Sequence, residues 1–288
     1  MGKNVVAFAL LYIYVQFIVC PLHTVLALLT GYCNPFRVVK AACDIMGVRF
    51  KHTKGSSKLH PSAMYLCNHR SWGDFFVDQA VCNGGAYLSR YLVIVGVPMS
   101  SLYAWVAHST WFFNRKAGID RDELARLLAG LWASRPSQGL VVYPEGTRNQ
   151  KSEPLKIKTG VLKMAYDFNK PVQCVITSNK ELIANERNFH VERNVTCITS
   201  VSPVIEPSKF KTFDDFIEVV RKSFQDTWAD AYDSNASLGA VPYEVPLGLP
   251  APSFKPLPIP QRAWIVRLIL LSLALGWYFS RQAASKTA

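Results

Sequence analysis

The sequence has 288 residues, with 32 Lys+Arg against 20 Asp+Glu for a formal charge of +12, and half of its residues are hydrophobic. Only 18% are charged, against roughly 25% in ordinary soluble domains, so a disordered chain is excluded and the surplus apolar residues need a place outside an ordinary core. The charge calls for an anionic partner, but no run of five Lys/Arg occurs, and no nucleic acid is expected as that partner.

Between Lys3 and Arg37 no side chain is charged. Val5 to Cys20 would make roughly 24 Å of helix, short of a ~30 Å hydrocarbon core. Extended to Cys33 the segment is too long for one straight span, and Pro21 and His23 fall in its middle. Either a tilted or kinked span, or a hairpin in one leaflet, is expected over residues 1–36. A cleaved signal peptide fits Lys3 and the apolar run, but no clear A-x-A site follows.

Further along, residues 63–67 (AMYLC) read as a strand, and Ser71 onward as a helix. Asp120 and Glu123 form a capping box ahead of LARLLAGLWA. Residues 139–143 (GLVVY), 171–177 (PVQCVIT) and 195–204 are strand-like, 159–169 is amphipathic, and Thr212 caps a long helix. This alternation predicts an α/β fold with a mixed sheet and flanking helices, over a catalytic domain at 37–240. Val241 to Pro260 holds seven prolines and reads as an extended linker over 241–262. Ala263 to Ser280 is apolar, with Arg267 near its start and Trp264, Trp277 and Tyr278 near its ends, as interface residues are. A C-terminal membrane anchor is expected over 263–288.

Two short motifs carry the chemistry. In Asn68-His69-Arg70-Ser71-Trp72-Gly73-Asp74, Ser71 and Asp74 fit a helix N-terminal box. With Ser71 as N-cap, the Asp74 carboxylate leans back toward the loop and reaches one imidazole nitrogen of His69. That fixes the tautomer and leaves the other nitrogen as a base. With six histidines in the chain, chance supplies such a spacing about 0.3 times, so this motif alone is weak. The second motif, Tyr143-Pro144-Glu145-Gly146-Thr147-Arg148, runs a buried strand into a sharp loop whose Arg fork suits phosphate. A given pentapeptide arises by chance on the order of once in ten thousand such chains.

Together these motifs resemble the glycerophospholipid acyltransferase family, in particular its 1-acylglycerol-3-phosphate acyltransferases, whose blocks N-H-x-x-x-x-D and P-E-G-T-R occur in this order. Trp111-Phe112-Phe113-Asn114-Arg115-Lys116 looks like the family's second block, and residues 154–160 (PLKIKTG) like its basic-Gly stretch. The fourth block departs, since Lys170-Pro171-Val172-Gln173-Cys174-Val175 keeps one proline of two. Arg90 stands near the place of a family lysine. The resemblance implies a membrane-bound enzyme passing an acyl group from acyl-CoA, a co-substrate, to a lysophospholipid, with no cofactor and no metal. The expected acceptor is 1-acyl-sn-glycerol 3-phosphate, giving phosphatidic acid. Lysocardiolipin or lysophosphatidylinositol as acceptor, a CoA-independent transacylase, and a non-catalytic lipid binder are the alternatives. His69 would be the base and Asp74 its orienter. Arg115 and Arg148 would hold the acceptor phosphate, with Glu145, Gly146 and Thr147 shaping that loop.

Seven scattered cysteines without a C-x-x-C pair suit a reducing compartment, and the basic segment from Arg37 to Lys58 follows the first apolar stretch. The body is therefore expected on the cytosolic face of a membrane such as the endoplasmic reticulum, with Asn194 and Asn235 unmodified.

Overall fold

Strands form where apolar runs can be buried on both faces. The computed structural model describes residues 4–31, 33–113, 121–133, 139–233, 238–249, 267 and 270–278. Among the described residues the strands are β1 (Arg49–His52), β2 (Met64–Cys67), β3 (Ala86–Arg90), β4 (Thr110–Phe113), β5 (Leu140–Val142), β6 (Val172–Ser178), β7 (Ala184–Asn185), β8 (His190–Val191), β9 (Thr196–Val201) and β10 (Val241–Pro242). Eight of them make one sheet in the order β10-β1-β9-β6-β2-β5-β3-β4, and β7 and β8 form a separate ladder. From β6 to β4 neighbours run parallel. β9 is antiparallel to β6 and parallel to β1, and β10 closes the far edge antiparallel. The mixed sheet with flanking helices is thus the fold expected from the alternating pattern.

The pleat sends alternate residues of β2 into two cores. Met64 and Leu66 pack with Leu140, Leu162, Phe216 and Trp228 under the helices Arg121–Ala133, Gly160–Asp167 and Phe213–Tyr232. Tyr65 and Cys67 pack on the other face with Val77, Ala80, Val141 and Val39, under the helices Pro35–Ile45 and Gly73–Val81. Thr212 caps the long helix through its hydroxyl, which accepts from the Asp215 N–H at 3.1 Å. The capping residue Asp120 lies outside the described residues.

The N-terminal segment is one continuous helix, Val5–Thr30, about 39 Å long at 1.5 Å per residue. This replaces the hairpin alternative. A π-helical turn at Val15–Val19 precedes Pro21, where a proline has no N–H to offer and its ring crowds the carbonyl four residues back. The helix is held by one stripe at four-residue spacing, with Phe8, Gln16, Cys20 and Thr24 buried, while Val6, Leu10, Phe17 and Leu22 stand exposed on other faces. Gln16 fastens it to the body. Its Oε1 accepts from the Met99 and Ser100 N–H groups (3.1 and 3.2 Å), orphan donors at the start of helix Pro98–Val106.

The proline-rich stretch differs from the expected free linker in its first half. Val241–Pro242 pairs with β1 at the sheet edge, where a proline costs no ladder bond. The Tyr243 ring meets Phe50 and His52, and Val245 is buried. Of the expected anchor, residues 267 and 270–278 are described, and they are helical. Arg267 donates from Nε to the Leu28 carbonyl, near the end of the N-terminal helix. Among the described residues, Val5–Thr30 is the helix long and apolar enough to cross a membrane.

Candidate active site

The parallel strands β2, β5, β3 and β6 deliver their carboxyl ends to one edge of the sheet, the usual place for a ligand crevice in such folds. Both motifs of the sequence are there. Asn68 and His69 follow β2, and Pro144 to Arg148 follow β5. The two loops are tied directly: the Asn149 N–H donates to the His69 carbonyl at 2.7 Å, and the Arg70 guanidinium donates to the Asn149 carbonyl at 2.6 Å.

His69 Nδ1 lies 2.7 Å from Asp74 Oδ2. The same oxygen accepts from the N–H groups of Arg70 and Ser71, at 2.5 and 3.0 Å. The expected box at the helix start is present with a shift: the Ser71 hydroxyl accepts from the Gly73 N–H at 3.2 Å, and the ordered helix begins at Gly73. With its acidic partner on Nδ1, the imidazole carries its proton there and presents Nε2 as the free base. The Tyr143 ring stacks on His69 at 4.2 Å between centroids, 15° from parallel, and fixes the ring plane. Burial pushes the Asp74 carboxyl up. The Lys180 ammonium, the His69 bond and charge and the Arg70 N–H outweigh that, so its pKa is lowered and the carboxylate stays ionised.

In the second loop, Gly146 has φ +68, a left-handed turn that a side chain would strain, and an added Cβ would also meet Lys158 Nζ at 2.7 Å. Glu145 points into the loop. Its Oε2 accepts from Asn149 Nδ2 at 2.7 Å and from the Leu155 N–H at 2.9 Å. Burial raises its pKa despite those bonds. It shapes the loop and offers nothing to a phosphate. Thr147 is exposed. Arg148 is ion-paired with Glu186, whose second oxygen accepts from the Trp72 N–H at 3.0 Å. Arg90 donates to the Gly146 carbonyl at 3.2 Å, which brings the residue weighed against a family lysine to the same loop. Arg115 lies outside the described residues.

A cavity of about 2190 Å³ joins these parts. Its polar end is lined by His69, Arg90, Gly146, Arg148 and Lys158, and its apolar walls by residues such as Tyr12, Val15, Val19, Ile45 and Val93. The N-terminal helix is therefore a wall of the site, and Trp72, inside the first motif, stacks against both Phe8 (5.6 Å) and Tyr12 (5.7 Å). Sequence reasoning missed Tyr143, Glu186 and Lys180. The first opens the second motif, but its ring is given no role there. The other two are ordinary charged residues in sequence and gain their meaning from the turn after β6, which carries Lys180, and from the β7–β8 hairpin, which carries Glu186.

Residues 49–178 match the family model described as Acyltransferase. Over 203 residues the chain is 28% identical to a Caenorhabditis elegans protein provisionally named 1-acyl-sn-glycerol-3-phosphate acyltransferase acl-1, covering 66% of this chain and 72% of that one. A protein of Cocos nucifera named 1-acyl-sn-glycerol-3-phosphate acyltransferase is 22% identical over 177 residues, 60% of this chain and 56% of its own length. The fold is similar to the crystal structure of the 1-acyl-sn-glycerophosphate acyltransferase PlsC from Thermotoga maritima, with TM-score 0.54, 15% identity, and 78% and 93% of the two chains covered.

Proposed function

We infer that this chain, whose residues 49–178 match the Acyltransferase family model, moves a fatty acyl group from acyl-CoA to a lysophospholipid. The acceptor we assign is 1-acyl-sn-glycerol 3-phosphate, and the product phosphatidic acid. The observation that carries the reading is the His69–Asp74 pair, with its free imidazole nitrogen on a cavity that is cationic at one end and apolar along its length. The names of the two relatives support the acceptor.

The chemistry follows from the residues. The acceptor hydroxyl oxygen attacks the thioester carbonyl carbon while His69 Nε2 takes its proton, a step typically worth 10²–10⁴ in rate. Asp74 stabilises the imidazolium that forms. The C–S bond then breaks, the CoA thiolate leaves, and the proton on His69 passes out with it. No covalent acyl-enzyme is required. Arg148 and Arg90 hold the acceptor phosphate, aided by Lys158, and Arg115 has the same assigned role. The long N-terminal helix, with most of its surface apolar and exposed, holds the site at a membrane, and the C-terminal apolar stretch is a second anchor. The body faces the cytosol, where acyl-CoA is, in the endoplasmic reticulum or a similar membrane. Protease sensitivity of the body in sealed microsomes checks that orientation.

The deciding experiment incubates the purified full chain with labelled acyl-CoA and a panel of lysophospholipids. The expected result is phosphatidic acid, with kcat/KM highest for 1-acyl-sn-glycerol 3-phosphate. A preference for lysocardiolipin or lysophosphatidylinositol overturns the acceptor. Transfer from a phospholipid without acyl-CoA overturns the donor, and binding without turnover overturns the enzyme.

A further inference from the structure

Beneath the His69–Asp74 pair lies a cation that the reaction does not use. Lys180 is fully buried, on the turn that follows β6. All three of its ammonium protons are committed: to the Asn68 carbonyl at 2.6 Å and to both oxygens of Asp78 at 2.8 and 2.7 Å. Asp74 Oδ1, the carboxylate oxygen that His69 does not use, has no hydrogen-bond partner and faces the same ammonium at 3.8 Å. The turn itself is built to hold this position. Asn179 adopts a left-handed conformation (φ +65) with its side-chain amide donating to the Thr196 carbonyl at 3.0 Å. Gly73 lets the catalytic helix start against it, since a Cβ there would fall 2.3 Å from the Lys180 carbonyl oxygen.

We propose that Lys180 is a positioning residue for the His69–Asp74 pair, fixing the backbone that carries His69 through the Asn68 carbonyl and the charge and aim of Asp74 through its free oxygen. The inference rests on His69 being the base. A buried ammonium is costly unless paired. Asp78 alone would satisfy its charge, so the contacts to Asn68 and Asp74 are what point to a second task. Lys180 also joins the two motif loops, because Asp78 accepts from the Tyr143 hydroxyl at 3.0 Å while the Tyr143 ring covers His69.

Charge counting gives the role a signature. The titratable groups around the ammonium are Asp74 and Asp78 from the helix, Cys67 from β2, Tyr143 after β5, Cys197 from β9 and Tyr232 from the long helix, with His69 beyond Asp74. The Arg70–Glu181 pair flanks them at 3.3 Å. Taking one positive charge out of this dry cluster makes it hold a proton more tightly. A base that must be unprotonated then works only at higher pH.

Two variants test this in the full chain, alongside His69→Ala. Lys180→Met is expected to lower kcat by about a hundredfold, the scale of a small misplacement of reacting groups, with the acceptor KM within about threefold of wild type, and to move the acid limb of the kcat profile to higher pH. Lys180→Met with Asp78→Asn removes the stranded carboxylate as well. Its thermal midpoint is expected to return toward wild type while kcat stays low. If the double variant regains wild-type kcat, or if Lys180→Met loses activity through KM with an unmoved acid limb, Lys180 serves only to neutralise Asp78 and the proposal fails. Full activity in His69→Ala removes the base itself, and this inference with it. An inactive His69→Ala beside a fully active double variant overturns Lys180 alone.

Discussion

The two motif loops meet at one edge of the sheet but are built in opposite ways. In the first, the His69–Asp74 pair is held from several sides: Asp74 is fully buried and accepts three bonds on one oxygen, and the histidine is clamped between a carboxylate and an aromatic face. In the second, the buried part is Glu145 and Asn149, while Thr147 is exposed and Arg148, assigned above to the phosphate, is half-buried and paired with the Glu186 carboxylate. A base has to be pre-aimed, because misplacement costs rate directly. A phosphate-binding group need only be available at the right place, and an exchangeable ion pair keeps its charge compensated between turnovers.

The contrast breaks most visibly at the base. His69→Ala should reduce kcat by about 10³-fold or more with little change in thermal midpoint, since the ring is on the cavity wall, and Asp74→Asn should lose a comparable factor. Steady-state kinetics beside a thermal melt check both. If His69→Ala keeps more than a few per cent of activity, the first loop is scaffold and the contrast disappears.

Arg148→Ala is next in size. It should raise the KM for the lysophospholipid by about tenfold or more and leave the KM for acyl-CoA near wild type, consistent with loss of one charge-assisted contact. Equal changes in both constants would mean that Arg148 merely braces Glu186 and Trp72.

The smallest effect concerns Glu145. Its pKa is raised in the folded state by burial, so the native protein holds that proton more tightly than the unfolded chain. The sign follows from linkage: stability is favoured below the ordinary glutamate range and falls as pH rises through the raised value. Glu145→Gln removes that dependence. Urea unfolding of the two proteins across pH 4 to 7 should show the wild type losing stability relative to the variant as pH increases, by less than about 1.4 kcal/mol per pH unit. A difference that does not change with pH would show that the loop carboxylate is not the group that titrates.

How far the sequence reveals this site depends on where the information lies. Strands β2, β5 and β6 are legible because they are buried on both faces and read as apolar runs. β1, Arg-Phe-Lys-His, is not, because Phe50 alone of its residues is buried and its place in the sheet comes from β9 and β10. The prolines after residue 240 forbid a central strand but say nothing against an edge, and the edge is where Val241–Pro242 sits. The His69–Asp74 contact is a local spacing and can be read directly. The Arg148–Glu186 pair depends on a hairpin 38 positions on, and Lys180 sits in Ser-Asn-Lys-Glu, which on its own suggests a surface turn. Chain folding, and no local pattern, brings them beside the motifs.

One feature of the N-terminal helix constrains anyone who would rebuild this enzyme. Phe8 and Tyr12 are four residues apart, so they rise from the same side of the helix, and the Trp72 indole lies against both. A foreign apolar helix of equal length and hydropathy would leave that indole bare and the cavity one wall short. A graft that transplants the aromatic pair in its original spacing, together with Gln16 one turn further on, would restore the wall and its fastening to the body. Interchangeability of the leading helix among related chains is thus limited by these three side chains and by the buried Cys20, Thr24, Ala27 and Leu28 further along it, while exposed apolar positions such as Val6, Leu10 and Phe17 are free to drift.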